Sequence, residues 1–293
     1  MRITITNQGY EAAIESLGAE LKSYKAPSGK EYIWNSNPQY WMRSSPLLFP
    51  TIGNVRNNKT MINKVEYPMT KHGFSKESEF NVLEQSDSRV TFSLKSNEFT
   101  KKSYPFSFEL RLTYELKGKD LEMTYQVFNQ DRQPMVYHIG AHPGFNCPLE
   151  EGEAFSDYVI EFEKDELLES YVYDLENMCF FAEKRMVHGT IGRVLALSGS
   201  LFDHDALYFY HTNSHSVSLK NPATGKGIRM DYPDFVSIAF WTPMGGNAPF
   251  LCLEPWNGAA IFEDENDDFA QKRDIQTLEA GQQKDYHLRI SIL

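Results

Sequence analysis

The stretch FELRLTYELKGKDLEMTYQVFN, Phe108 to Asn129, decides the fold class. On either side of Gly118 and Lys119, apolar and polar residues alternate at period two, as they do when a β-strand lays one face on a core and the other toward water. Glycine just after Lys117 supplies the turn chemistry that reverses such a ribbon, so Leu116 to Leu121 reads as a hairpin. Similar alternation runs through RITIT near the start of the chain, RVTFSLKS, DYVIEFE, SVSLKN and YHLRISIL. Turn residues separate these runs in TNQGY, APSGKEY and NPATGKG. Helical periodicity is weak, and the best candidate is a short surface helix over Glu265 to Arg273, acidic at its start and basic at its end. No repeat of fixed period and no low-complexity linker interrupts the pattern. The expectation is therefore one continuous all-β domain over residues 1–293, built from large packed antiparallel sheets with few short helices.

Composition narrows the function. The chain has 293 residues, of which 41% are hydrophobic and 14% aromatic, enough for a large core. Against 29 basic residues stand 40 acidic ones, giving a net charge of −11 and no basic cluster for a phosphate backbone, so neither nucleic acid nor an anionic membrane is an expected partner. No apolar run is long enough to span a bilayer and the N-terminus lacks a signal-peptide layout, which makes a cytoplasmic protein the expectation. Cys147, Cys179 and Cys252 are odd in number and far apart, a pattern of reduced thiols rather than of disulfides or structural zinc.

In such a fold the informative residues are ionisable groups set among apolar, aromatic or glycine-rich neighbours, because burying them unpartnered is costly. Glu254 ends the apolar run FLCLEPW. It either reaches solvent at a strand end or sits buried with a raised pKa. His142 in YHIGAHPGFN and His72 in MTKHGFSKESEF each lie beside a glycine and a phenylalanine in a turn, where functional side chains are commonly displayed. Arg43 and Arg56 flank the proline-containing run in YWMRSSPLLFPTIGNVRNN, and each is either a sugar-binding fork of donors or a surface ion pair. Asp203 and Asp205 bracket His204 ahead of an apolar strand, and the bland reading is an acidic turn. The tryptophans offer flat apolar faces for a sugar ring, although most belong to the core.

A carboxylate with a histidine is the minimum set for general acid/base catalysis, and Glu254 with His142 is the natural pair. The nucleophile elbow Gly-x-Ser-x-Gly and both phosphate-cradling glycine motifs are missing. His138/His142 and His211/His215 have a zinc-pair spacing, but on helices, whereas these segments read as strands; neither metal nor cofactor is expected.

The ordered series PLLFPTIGNV, KHGFSKESEF, GAHPGFN, LFDHDALYF and LEPWNG, following the opening ITNQGYEAAIESLGAELKSYKAPSGKEYIWN, resembles the aldose 1-epimerase (galactose mutarotase) superfamily, in particular its LacX-like branch. The resemblance covers essentially the whole chain. It implies a galactose mutarotase-like β-supersandwich, an aldohexose as the small-molecule partner, monomer or homodimer, and anomer interconversion without metal or cofactor. It further implies that Glu254 is the general base and His142 the general acid, each titrating near the working pH. His72, an arginine (Arg43 or Arg56) and an aspartate (Asp203 or Asp205) would contact the sugar, and Trp256 is either a flank of the sugar site or packing behind it. The segment GNVRNN lacks arginines where galactose mutarotases carry them, while Arg43 matches an arginine of hexose-6-phosphate epimerases. Two alternatives therefore stand beside a free-hexose mutarotase: a hexose-6-phosphate 1-epimerase and a non-catalytic carbohydrate-binding protein.

Overall fold

The computed structural model describes residues 1–293 and is 51% strand. The deciding stretch forms strands Phe108–Lys117 and Asp120–Asn129, paired in register from Lys117 opposite Asp120 to Phe108 opposite Asn129. Gly118, at φ +61°, occupies the first central turn position, where a side chain would be strained. Along Asp120–Asn129 burial alternates strictly, and Leu121, Met123, Tyr125 and Val127 enter the core.

This hairpin lies within a fifteen-stranded antiparallel sheet. From its interior the sheet runs outward through Gln283–Ile292, Gly227–Asp231, Ser216–Lys220, Val159–Asp174, Leu207–Phe209, Ser237–Trp241 and Phe250–Asn257. The expected large sheets are thus joined by one unbroken hydrogen-bonded path. A separate three-stranded sheet, Arg2–Asn7, Tyr10–Glu15 and Glu20–Lys25, packs over the Phe108–Lys117 strand. Tyr114 and Tyr24 tie the layers by donating hydroxyls to the carbonyls of Ala19 (2.7 Å) and Lys119 (2.5 Å). One apolar cluster of 61 buried residues runs from Ile3 to Ile292, so residues from both ends of the chain share a core.

Helical structure is confined to 3-10 turns of three or four residues. The surface helix expected over Glu265 to Arg273 is reduced to the turn Phe269–Gln271. Its acidic start caps this turn, with Asp268 accepting from the Ala270 amide at 3.1 Å, but the rest of the segment is held by other contacts. Arg273 pairs with Asp264 at 2.8 Å, and Lys272, buried, reaches Glu265 at 3.3 Å. A short segment gains too little from helix formation to offset those tertiary bonds.

Candidate active site

Every residue of Phe250–Asn257 is buried, which explains its unbroken apolar reading. The two faces of the strand do different work. Leu251 and Leu253 enter the main core. On the opposite face Phe250 and Cys252 join a tryptophan cluster with Trp34, Trp41 and Trp241, and Trp256 packs on Tyr208 at 5.1 Å. Period two therefore delivers Glu254 to the face shared with the aromatics. There it is 1% exposed, so the reading of a carboxylate reaching solvent is excluded.

His142 is placed by the neighbouring ladder. Gly140 pairs with Trp256 and Gly144 with Cys252, so the common register sets His142 opposite Glu254. Pro143 interrupts the strand there, and its carbonyl still accepts the Leu253 amide at 3.1 Å. The result is a cross-strand pair with His142 Nε2 3.2 Å from Glu254 Oε2. Trp41 stacks on the imidazole at 4.9 Å, and Trp241 and His72 meet it edge-on at 5.7 and 5.6 Å. Gly140 admits this arrangement because a Cβ there would lie 2.7 Å from the Trp256 ring.

His72 sits in a left-handed turn at φ +63°, followed by Gly73 at φ +70°. Its backbone amide donates to the Gly53 carbonyl at 3.0 Å, and its Nδ1 accepts from the Gly53 amide at 3.0 Å. That second bond fixes the proton of the neutral ring on Nε2.

These residues line a cavity of about 340 Å³, within the ~300–1,000 Å³ range of small-molecule sites. Of the residues singled out from sequence, it brings together Glu254, His142, His72, Arg43, Asp205 and Trp256. Asp205, at φ +71°, accepts from the Trp241 indole N–H at 2.6 Å and so holds one wall. Arg43 faces the cavity, yet its guanidinium donates to the Lys76 carbonyl at 2.8 Å and lies 3.7 Å from Glu20 and 3.8 Å from Glu77.

Two expected residues lie elsewhere. Asp203 is exposed just after the turn Gly199–Phe202, whereas Asp205 turns inward from the bend that precedes the strand Leu207–Phe209. Arg56 donates to the Glu265 carbonyl at 3.1 Å and lines a separate neighbouring cavity. His138 also stays away. It is buried behind the site with Nε2 3.1 Å from the Arg273 carbonyl, so the i, i+4 spacing with His142 does not make a metal pair.

Several lining residues carried no sequence signal of their own. Asn54 donates to the Tyr173 hydroxyl at 2.8 Å, and Tyr173 meets Phe180 edge-on at 5.1 Å. Tyr173 and Phe180 come from opposite arms of the hairpin formed by Val159–Asp174 and Cys179–Ala196, where nothing in the local pattern marks them. Lys71 lines the cavity without an ion-pair partner, unlike Lys76, whose ammonium is held by the carbonyls of Lys71 and Gly73.

Burial sets the protonation of the site. Desolvation raises the Glu254 pKa well above the usual carboxylate range; the Asp205 charge adds to this, while Lys71 and the Trp256 indole N–H oppose it. Desolvation, helped by the Lys71 charge, pushes His142 down to about 3. His72 is likewise lowered, first by burial and then by Lys71 and His142. In place of two groups titrating near neutrality, these shifts favour an uncharged pair with the proton on Glu254.

His142, Cys252 and Glu254 also bring one donor atom each to within 4.8 Å of one another. Burial and then the adjacent Glu254 raise the Cys252 thiol well above its usual range.

Comparison with known proteins identifies the family and the fold. The family model for aldose 1-epimerase matches residues 1–291. The plasmid-encoded protein LacX of Lactococcus lactis subsp. lactis is 35% identical over 288 residues, covering 94% of each chain. A galactose mutarotase-like protein of Lactobacillus casei is 30% identical with a TM-score of 0.93, covering 100% of both chains. A galactose mutarotase related enzyme of Lactobacillus acidophilus is 29% identical with a TM-score of 0.92, covering 100% of this chain and 97% of that one. The chain belongs to the aldose 1-epimerase family, and its fold is galactose mutarotase-like.

Proposed function

From that membership we propose that the protein is a mutarotase that interconverts the α and β anomers of a free aldohexose. The observation that carries the reading is the contact of Glu254 with His142 at 3.2 Å, buried under an aromatic wall in a cavity of sugar size. Glu254 takes the proton of the anomeric hydroxyl as His142 gives one to the ring oxygen, and the C1–O5 bond breaks to leave the open aldehyde. Rotation about C1–C2 and re-closure with the roles reversed give the other anomer. Ring opening starts from the charge-separated form of the pair and ends with Glu254 protonated and His142 neutral. Burial favours that second form, so the enzyme's resting preference matches the protonation state at the open-chain stage. Lys71 offsets part of the cost of the Glu254 carboxylate. His72, Asp205 and Arg43 orient the sugar.

A second reading, a hexose 6-phosphate as substrate, draws on one feature: Arg43, Lys71 and Lys76 line the same cavity, and Lys71 has no internal counter-ion. Polarimetry of freshly dissolved α-glucose, α-galactose and glucose 6-phosphate separates the readings. Accelerated equilibration of the free hexoses, unaffected by chelator, is the expected result. Acceleration confined to the phosphate ester selects the second reading. Ligand-dependent tryptophan fluorescence with no acceleration of any sugar leaves a binding protein.

A further inference from the structure

A third cavity, of about 310 Å³, shares no lining residue with the Glu254 cavity or its neighbour. An aromatic layer separates it from the candidate active site: Tyr171, which lines it, lies 6.1 Å from Tyr208, and Tyr208 lies 5.1 Å from Trp256. Cross-strand register pairs Glu169 with Val187 and Tyr171 with Arg185, so period two sets Glu169, Tyr171 and Arg185 on one face of the hairpin formed by Val159–Asp174 and Cys179–Ala196. The Arg185 guanidinium lies 3.3 Å over the Tyr171 ring, and its Nη1 donates to the carbonyls of Ala182 and Lys184, both at 3.1 Å. It is thereby held in place, yet no carboxylate pairs with it. Glu169, half-buried, has neither an ion pair nor a hydrogen bond.

The other polar groups come from the segment Tyr210 to Asn213. Buried Glu166 accepts from the Asn213 amide at 3.1 Å, from its side-chain N–H at 3.3 Å and from the Ser214 amide at 2.6 Å. These bonds fix the segment and leave Asn213 Oδ1 without a protein partner. His211 is held at φ +53°, a strained conformation of the kind that gathers at ligand sites. Its ring stacks on Tyr210 at 3.9 Å with Nε2 2.8 Å from Asp274 Oδ1, so Nδ1 is left free.

A carboxylate and a guanidinium each present a planar fork of polar atoms, and such forks match pairs of vicinal hydroxyls, the first accepting from them and the second donating to them. Arg185 and Glu169 balance in charge and Glu166 adds a further negative one, so the cavity disfavours a phosphate or other anion and suits a neutral, hydroxyl-rich ligand. Leu167, Phe209 and Tyr210 supply apolar surface for the C–H face of a ring. We propose that this cavity is a non-catalytic saccharide site, in which Glu169 and Arg185 hold adjacent hydroxyls of one pyranose unit. It goes beyond the mutarotase reading and does not rest on it, because none of its residues lines the Glu254 cavity.

The test is a titration of the ¹⁵N-labelled protein, followed by amide chemical shifts, with methyl β-galactoside and methyl β-glucoside, whose locked anomeric centres remove any turnover. At least one glycoside should shift the amides of Tyr210 to Ser214 saturably. Glu169→Gln and Arg185→Gln, both changes at side chains outside the core, should weaken that response by about 10-fold, the loss of a hydrogen bond to a charged group. Shifts of Gly53 and His142 on adding galactose, and any polarimetric acceleration, should keep their parent values in both variants. The proposal is overturned if no glycoside shifts Tyr210 to Ser214, if both variants respond as the parent does, or if glycine or inorganic phosphate binds there and the glycosides do not. A saturable glycoside response without acceleration of any sugar would overturn the mutarotase reading and leave this site standing.

Discussion

Glu254→Gln is the substitution with the sharpest consequence. The amide is close in size to the carboxyl it replaces and can keep the contact with His142, so the buried strand should be undisturbed. The base is lost, and positioned proton transfer contributes about 10²–10⁴-fold, or ~2.7–5.4 kcal/mol at ~1.36 kcal/mol per decade. Polarimetric acceleration should fall by that factor while sugar binding changes little. Stability should move the other way. Below the unfolded pKa of about 4.3, Glu254 is protonated in both states and imposes no penalty. As the pH rises toward its elevated folded value, the unfolded chain ionises while the folded one retains its proton, so the parent protein loses stability that the glutamine variant keeps. The melting temperature of the variant relative to the parent should therefore climb between pH 4 and pH 8. A variant with the parent's rate would refute the base assignment, and a difference in melting temperature independent of pH would refute the burial argument.

Three further outcomes follow from the same geometry. On the proposed mechanism, in which Glu254 and His142 exchange protons as one unit, His142→Gln should cost about as much activity as Glu254→Gln, and the double variant little more than either, which single-turnover anomerisation rates would check. Burial pushes His138 and His142 each down to about 3, so stability present above an unfolded pKa of about 6.5 should be lost as pH falls toward 3, by ~1.36 kcal/mol per pH unit for each histidine; His138→Asn should flatten the acid limb of a melting-temperature profile without touching the site. Gly73→Ala would put a Cβ 2.2 Å from the Phe49 carbonyl at φ +70°. It should destabilise by at least ~1–3 kcal/mol in denaturant titration and lower activity by moving His72.

The sequence by itself determined the architecture class. Period-two alternation is written residue by residue, and in Asp120–Asn129 burial follows it without exception. It also marked Glu254, His142 and His72, because a carboxyl at the end of an apolar run and histidines in glycine turns are local anomalies. Tertiary structure decided which of the ambiguous polar groups count. Asp203 and Asp205 are two residues apart, yet only the second turns inward, at a positive φ that Trp241 secures from another strand. Arg43 and Arg56 flank one run but face different cavities, since their partners Glu20 and Glu265 come from distant segments. The protonation of the Glu254–His142 pair is likewise a property of packing. Desolvation of Glu254 and His142 depends on Trp41, Trp241 and Trp256 closing over a register set by two separate strands, and no local stretch of sequence encodes that enclosure.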